Sequence, residues 1–281
     1  MAADATTASA PILPRGVASV ISMNEILALL GAGLAAGALG GLLGLGGGIV
    51  LMPLLRFGLG LDPAAAAGTC VLAVFFTTLG GGYGHYRLGH VKLAAITPIM
   101  IAGAIATIGS SIAFHFLASG GHWLDFGIGV VFAVIALRMI YEGKQRRCVD
   151  DGDAKVGAVS GSVPSKAAIG ALAGVMPGLL GIGTGSILVP ATRYLLAAPI
   201  KTAMATSLIC FTINALISSI FKLSEGYVVL ALALPLSAGT LLGSLLGANL
   251  NKRIASHALK LVCGIAFGLI ALKFGYAWWQ S

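Results

Sequence analysis

The sequence predicts an all-α polytopic membrane protein with two inverted repeats, each a glycine-broken helical hairpin followed by three transmembrane helices. Composition, an internal duplication and the distribution of basic residues support this prediction. Hydrophobic residues make up 58% of the 281 residues and charged residues only 9%, and the mean hydropathy is +0.99. This composition excludes water-soluble enzyme folds. The net charge of +8 comes from cations in short loops, which orient a membrane protein rather than bind nucleic acid.

The duplication is visible as two copies of one apolar, glycine-rich segment, LLGLGGGIVLMPLLR at 42–56 and LLGIGTGSILVPATR at 179–193, separated by 137 residues. Eight of the fifteen positions are identical. The register continues without a gap, because the same shift relates Thr69 to Thr206, Gly89 to Gly226, and Pro98 to Pro235. The chain is therefore an internal duplication.

Glycines at alternate positions in an apolar stretch need an explanation, since each costs about 1 kcal/mol against Ala inside a helix. We interpret them as a helix break in which glycine adopts positive φ and backbone N–H groups attract an anion, aided by the positive end of the next helix. The alternative is close helix packing through small residues. The repetition of the pattern, each time followed by Pro, favours the break.

Apolar runs define the remaining organisation. Residues 1–23 form a flexible tail without the pattern of a signal peptide, 24–142 the first membrane repeat, 143–165 a charged cytoplasmic linker, and 166–281 the second membrane repeat. The first hairpin covers 26–57, and spans follow near 63–83, 91–117 and 123–141. The second hairpin covers 167–196, and spans follow near 199–221, 227–248 and 258–279.

The basic residues favour inversion of the two repeats. If each hairpin returns to its starting side, each repeat crosses the membrane an odd number of times. With the linker in the cytoplasm, thirteen Lys and Arg then lie inside, and only Arg15, Arg56, Lys222 and Lys273 lie outside. Four crossings per repeat would give eleven inside and six outside. We expect Arg56 and Arg193, at equivalent positions, to snorkel at the hairpin bases.

Inverted repeats with broken helices in corresponding positions predict a secondary transporter whose site lies near the midplane. The candidate substrate-binding residues are the glycines and neighbouring polar residues of both breaks: Gly46, Gly47, Gly48, Thr69, Cys70, Gly183, Thr184, Gly185, Ser186, Thr206 and Ser207. Thr77 and Asn214 lie further along in register. The alternative for each hydroxyl is a hydrogen bond to its own helix backbone.

A second group of polar residues, His85, Arg87 and His90, lies near a predicted helix end and could receive the anion on the cytoplasmic side. Plain interfacial anchoring is the alternative for these three. All nine carboxylates fall in tails, loops or helix ends, so none is predicted to relay protons deep in the membrane. The four cysteines show no metal-site or disulfide spacing, and we expect no metal and no cofactor.

The paired motifs GLGGG and GIGTG, together with AGTC at 67–70, His85 with GHV at 89–91, and ATSL at 205–208, resemble the sulfite exporter TauE/SafE family of membrane permeases. The resemblance covers residues 24–276. It implies transport of small sulfur-containing anions such as sulfite, thiosulfate, sulfoacetate or related organosulfonates across a bacterial inner membrane. One departure is Cys70, where the sister motif ending in Ser207 leads us to expect Ser, a stronger donor.

The sequence therefore predicts an exporter that works by alternating access, since an inside-negative potential favours outward movement of an anion by about 2.3 kcal/mol per charge at 100 mV. A passive anion channel is the first alternative. The second is a membrane-embedded thiol enzyme or sulfur carrier using Cys70 or Cys210, although no general base lies at a readable spacing from either. The expected partners are a small anion and the lipid bilayer, and a homodimer is compatible with this plan.

Overall fold

The computed structural model describes residues 22–118, 121–144, 157, 159–250 and 256–280. Residues 1–21 of the predicted tail (1–23) and residues 145–156 and 158 of the predicted linker (143–165) lie outside the described residues, so both remain predictions. The described residues form ten α-helices: α1 Met23–Leu43, α2 Gly48–Pro53, α3 Pro63–Arg87, α4 Leu93–Ala118, α5 Gly121–Lys144, α6 Val163–Leu180, α7 Gly185–Pro190, α8 Ile200–Ser224, α9 Leu230–Leu250 and α10 Ser256–Gln280. The predicted all-α class is confirmed, and both hairpins are broken at the predicted glycines.

Local sequence explains where the helices begin. Ser22 and Glu25 form a reciprocal capping box at the start of α1. Asp62 accepts hydrogen bonds from the backbone N–H groups of Ala64 and Ala65, and Pro63 occupies the first helical position of α3. Pro53 ends α2, and the chain continues as one π-helical turn over Leu54–Gly58. Pro190 is followed by an equivalent turn over Ala191–Leu195, so both hairpins return with the same geometry.

Seven helices within the described residues are long and apolar enough to cross a membrane: α1, α3, α4, α5, α6, α8 and α9. In α10, the apolar stretch for which the side chains are described is shorter, Gly264–Trp279. Large apolar side chains such as Phe116, Leu137 and Leu272 are exposed on the outer surface of the bundle. A soluble protein of this size would not expose so many, and a lipid bilayer covers them.

Helices of one repeat pack against helices of the other repeat. α1 packs along α9, and the equivalent α6 packs along α4. Glycines at four-residue spacing bring each pair together: a methyl group added at Gly37 would lie 2.3 Å from the Thr240 carbonyl oxygen, and one at Gly174 would lie 2.2 Å from the Gly103 carbonyl oxygen. These contacts are related by the 137-residue shift. Such stripes of small residues permit backbone contact between membrane helices.

Equivalent helices of the two repeats run antiparallel to each other. Near the start of α3, Thr69 contacts Val229, which follows α8. Near the end of α3, a methyl group on Gly82 would lie 3.4 Å from Ile209, which is in the first half of α8. In the pair formed by α5 and α10, the rings of Phe126 and Trp278 lie 5.1 Å apart, so the start of one helix meets the end of the other. α3 and α8 therefore form an antiparallel pair at the centre of the molecule.

Candidate functional site

The first helix break is a left-handed turn that only glycine adopts without strain. Gly44, Gly46 and Gly47 have φ values of 69°, 80° and 74°, and α2 starts immediately afterwards. Space is also restricted, because a methyl group on Gly46 would lie 2.9 Å from Cε1 of Phe211. The expected positive φ is thus present at Gly46 and Gly47.

The second break uses its glycines differently. Gly181 has a φ of 67°, but Gly183 and Gly185 do not adopt positive φ, and neither does Gly48 of the first break. The predicted break with positive φ is thus present in both motifs, but Gly48, Gly183 and Gly185 do not contribute positive φ to it. These three positions need glycine for space, since a methyl group on Gly183 or on Gly185 would lie 2.2 Å from a carbonyl oxygen of the first break.

The two breaks consequently touch each other through their backbones. The carbonyl oxygen that opposes Gly183 belongs to Leu45, and the nitrogen of Gly183 would lie 3.1 Å from a methyl group on Gly48. The contact lies beside Val74, because Cγ2 of Val74 would lie 3.0 Å from the methyl group on Gly48. Val74 is near the middle of the 25-residue helix α3. The sequence-predicted motif glycines are thus gathered at one buried place next to the centre of a long membrane helix.

Polar side chains of the second break and of α8 lie near this contact. Thr184 and Ser186 belong to the second break, and their hydroxyl groups make no hydrogen bond to other described residues, although the two residues are only 1% and 7% exposed. Ser207 of α8 donates to the Gly44 carbonyl oxygen at 3.2 Å, and the hydroxyl of the preceding residue, Thr206, is fully buried without a partner among the described residues. The Cys70 thiol donates to the Gly48 carbonyl oxygen at 3.6 Å. An unpartnered buried hydroxyl is costly, so Thr184, Ser186 and Thr206 are candidates for contact with a polar ligand.

The equivalent threonines of the first repeat are already engaged. Thr69 accepts a hydrogen bond from the backbone N–H of Val229 at 3.0 Å, and Thr77 donates to the carbonyl oxygen of Ala73 in its own helix at 3.1 Å. Asn214, the counterpart of Thr77, is 2% exposed, and its Oδ1 has no partner among the described residues. Thr77 and Cys70 of the first repeat also line the first break, so what distinguishes the second repeat is that its hydroxyl groups Thr184, Ser186 and Thr206 have no partner among the described residues.

The predicted cytoplasmic cluster is only partly assembled. His85 is 1% exposed, and its Nδ1 lies 3.0 Å from Nδ1 of His90. Arg87 is exposed, and its guanidinium lies 5.9 Å from the ring centroid of Tyr83 rather than beside the two histidines. The structure thus brings His85 and His90 together and leaves Arg87 at the surface.

Arg56 does not snorkel into the interface as we expected. Its guanidinium forms a bidentate pair with Asp125, at 3.0 Å and 2.7 Å, and the Asp125 side chain is only 3% exposed. This carboxylate lies near the start of α5, in agreement with the prediction that the carboxylates fall at helix ends, but its burial was not predicted. Arg56 also donates to the Leu61 carbonyl oxygen, and Arg193 donates to the equivalent carbonyl oxygen of Ala198, so the two arginines brace the same turn in both repeats.

Sequence reasoning also missed two cations. Lys222, which we assigned to the outer surface, is completely buried at the end of α8. Arg138 of α5 donates to the carbonyl oxygen of Ser186, at the second break. The sequence did contain a signal for Lys222, because the 137-residue shift aligns Lys222 with His85, a residue that we had singled out.

The fold and the paired breaks define a class: a multi-pass helical membrane protein whose two similar halves meet at a buried polar site. The family described as Sulfite exporter TauE/SafE matches residues 29–274, and the chain belongs to this family. It is 29% identical to the Probable membrane transporter protein YunE of Bacillus subtilis (strain 168), with 87% of this chain and 95% of the relative covered. The chain is thus a membrane transporter of the TauE/SafE family.

Two further relatives extend this comparison. A Probable membrane transporter protein of Xylella fastidiosa (strain Temecula1 / ATCC 700964) is 27% identical over 93% of this chain and 98% of its own length. The Sulfite exporter TauE/SafE family protein 1 of Arabidopsis thaliana is 32% identical over 43% of this chain and 26% of its own length. No solved structure matches the chain.

Proposed function

We propose that this protein is a secondary transporter that exports small sulfur-containing anions, such as sulfite, sulfoacetate or other organosulfonates, by alternating access. The anion is held where the two helix breaks meet. The observation that carries this proposal is that the buried hydroxyl groups of Thr184 and Ser186, in the second break where the two backbones touch, have no partner among the described residues. The buried hydroxyl of Thr206 also has none, and the next residue, Ser207, donates to Gly44 of the first break. Hydroxyl donors suit the oxygens of a sulfite or sulfonate group.

The charges around the breaks favour an anion over a cation. The carboxylates with described side chains are engaged away from the breaks: Glu25 and Asp62 cap helices, Asp125 pairs with Arg56, and Glu225 lies 3.3 Å from His115. Arg138, in contrast, reaches the backbone of the second break. A cation at this place would meet positive charge without a carboxylate ligand, whereas an anion is stabilised.

Inversion of the repeats is supported by the antiparallel packing of α3 against α8 and by the thirteen-to-four distribution of basic residues. In an inverted pair, each break can open toward a different side of the membrane, which is what alternating access requires. Our proposal of a sulfur-containing substrate is supported by the family and by the name of the Arabidopsis relative. We assign the protein to the bacterial cell (inner) membrane, where the membrane potential drives an anion outward.

Purified protein should be screened by thermal unfolding against sulfite, thiosulfate, sulfoacetate, methanesulfonate, phosphate and chloride. A ligand that binds the folded form raises its apparent stability. We expect stabilisation by the sulfur oxyanions, and saturable, trans-stimulated counterflow of the same anions in proteoliposomes. Indifference to every anion would refute the substrate class, and flux without trans-stimulation would indicate a passive channel.

Two sets of variants test the placement of the site. Gly46→Val should abolish transport, since position 46 needs positive φ and a side chain there would meet Phe211. Gly60→Val is its control, because Gly60 also has positive φ but has open space around it. Replacement of both Cys70 and Cys210 by Ser should leave most transport intact, whereas a thiol enzyme or sulfur carrier would lose its activity.

A further inference from the structure

Lys222 is a positive charge sealed inside the helix bundle. The residue is 0% exposed, and its ammonium donates to the carbonyl oxygens of Pro177 at 2.9 Å and Gly178 at 2.8 Å and to Oγ of Ser218 at 3.1 Å. The ring centroid of Phe114 lies 4.3 Å from Nζ. The two carbonyl groups belong to the last turn of α6, just before the second helix break. Lys222 therefore fixes the helix end from which that break starts.

Among the residues whose side chains are described, no carboxylate forms a direct ion pair with this ammonium, and Glu225 acts on it only from beyond ion-pair distance. Glu225, one helical turn further on, lies 3.3 Å from His115 through Oε1, and its Oε2 makes no hydrogen bond within the described part of the chain. A buried ion without a counter-ion carries a desolvation penalty that hydrogen bonds to neutral groups offset only in part. Ionisable residues kept inside a membrane bundle in this way mark substrate or ion pathways.

The ammonium also lies beside the chain segment that leads into the second break. Its carbonyl partners Pro177 and Gly178 lie just before Gly181, where α6 ends in a left-handed turn. Two residues further on, the nitrogen of Gly183 would lie 3.1 Å from a methyl group on Gly48 of the first break. The charge therefore lies about one helical turn before the contact between the breaks.

The duplication supplies a second observation. The 137-residue shift relates Lys222 to His85 and relates Gly178 to Gly41. His85 is 1% exposed, and its Nε2 has no hydrogen-bond partner among the described residues. One helical turn before it, α3 packs on the end of α1, because a methyl group on Gly81 would lie 3.5 Å from Cα of Gly41. Each repeat therefore places a basic side chain near the end of α3 or α8, the helix that follows its hairpin, beside the last turn before its own break. Because α3 and α8 are antiparallel, the two side chains lie on opposite sides of the paired breaks.

We propose that Lys222 and His85 are equivalent basic groups that flank the anion site, and that the charge of Lys222 selects anions and sets their affinity. This inference rests on the proposed function, because it needs an anion at the breaks. The hydrogen bonds to α6 hold the ammonium in place when no anion is bound. An anion at the breaks then meets a charge that is already dehydrated and oriented, which strengthens the electrostatic attraction.

The test compares variants that differ in charge. Lys222→Met and Lys222→Gln remove the charge, and Gln can still donate to the α6 carbonyl groups. Lys222→Arg keeps the charge, and Ser218→Ala removes one partner of the ammonium while leaving the charge in place. Binding of methanesulfonate and sulfite is measured by ligand-induced stabilisation, and transport KM and maximal rate are measured in proteoliposomes. We expect at least a tenfold higher KM for both neutral variants, and less than a threefold change for Arg and for Ser218→Ala.

Equal KM values for Lys222→Gln and the wild type would overturn the inference even if the variant melted at a lower temperature. Loss of affinity in Ser218→Ala as large as in Lys222→Gln would also overturn it, because the hydrogen-bonded cage and not the charge would then matter. A second comparison uses the equivalent position and does not depend on the folding of the Lys222 variants. His85→Lys should have a lower transport KM than His85→Gln. A wild-type protein that binds none of the anions would instead refute the proposed function.

Discussion

Replacement of Gly183 by Ala should separate the two helix breaks and stop transport. Gly183 has no positive φ, so Ala meets no conformational obstacle and the effect is purely steric. The added methyl group would lie 2.2 Å from the carbonyl oxygen of Leu45 and 3.4 Å from Cε1 of Phe211. The backbone of the first break must therefore withdraw by about 1 Å before the contact is acceptable. Overpacking of this kind costs about 1–3 kcal/mol.

Gly109→Ala is the matched control, because Gly109 lies inside α4 with no atom within 4 Å of the added methyl group. Ala is the better helix former by up to about 1 kcal/mol, so this variant should melt at the wild-type temperature or above. Gly183→Ala should melt lower but remain folded, and its maximal rate of sulfite transport should fall at least tenfold. If both variants melted and transported alike, the close contact of the two breaks would not exist in the working protein.

Three further predictions test individual contacts. Thr206→Val should leave thermal stability unchanged or higher, because the buried Thr206 hydroxyl has no partner among the described residues, and it should raise the transport KM. Thr69→Val should instead lower stability by about 1–3 kcal/mol, because it removes the acceptor of the hydrogen bond from the Val229 N–H. Arg56→Gln and Asp125→Asn should each destabilise the protein by about 3–5 kcal/mol, because each leaves one charge of the pair without its partner. The double variant should be destabilised by less than the sum of the two single variants. Thermal or denaturant unfolding of the three variants measures these differences. Gly174→Ala should reduce stability by about 1–3 kcal/mol without changing the KM of the remaining folded protein, because its methyl group would press on α4 away from the breaks.

The apolar runs and the duplicated motif predicted the helices well because both are local signals. Long apolar segments have few alternatives in a membrane, and the glycine cluster that recurs in both repeats before a Pro marks the breaks. A glycine cluster without this repetition, at 80–82, lies inside the continuous helix α3. The 137-residue shift also located both breaks at equivalent positions. The π-helical turns after Pro53 and Pro190, which we did not predict, are related by the same shift. The sequence pattern could not show why each glycine is present. Gly47 is needed for positive φ and Gly185 for close packing, but both requirements select the same residue type.

Side-chain partners that come from distant segments were the least predictable. Arg56 and Asp125 lie 69 positions apart, and nothing in either local sequence shows that they pair. The stripes of glycines in α1 and α6 were visible, but their partners in α9 and α4 depend on how the repeats exchange helices. Lys222 was overlooked for a related reason: near a helix end, a lysine is usually an interfacial residue, and only its contact with α6 shows that it is buried.

The duplication has kept the framework equivalent and let the site diverge. Arg56 and Arg193 brace the same turn, and the glycine stripes make the same contacts, but Thr206 is free where Thr69 is engaged, and Lys222 stands where the first repeat has His85. In the alternating-access cycle that we propose, two identical halves would make the two orientations equal in energy. Because Lys222 and the hydroxyl groups without partners lie in the second repeat, an anion bound at the breaks would stabilise the two orientations unequally, and a ligand shifts an equilibrium only by such a difference. On this proposal, the asymmetry between the halves is what lets the bound anion influence which side of the membrane the site faces.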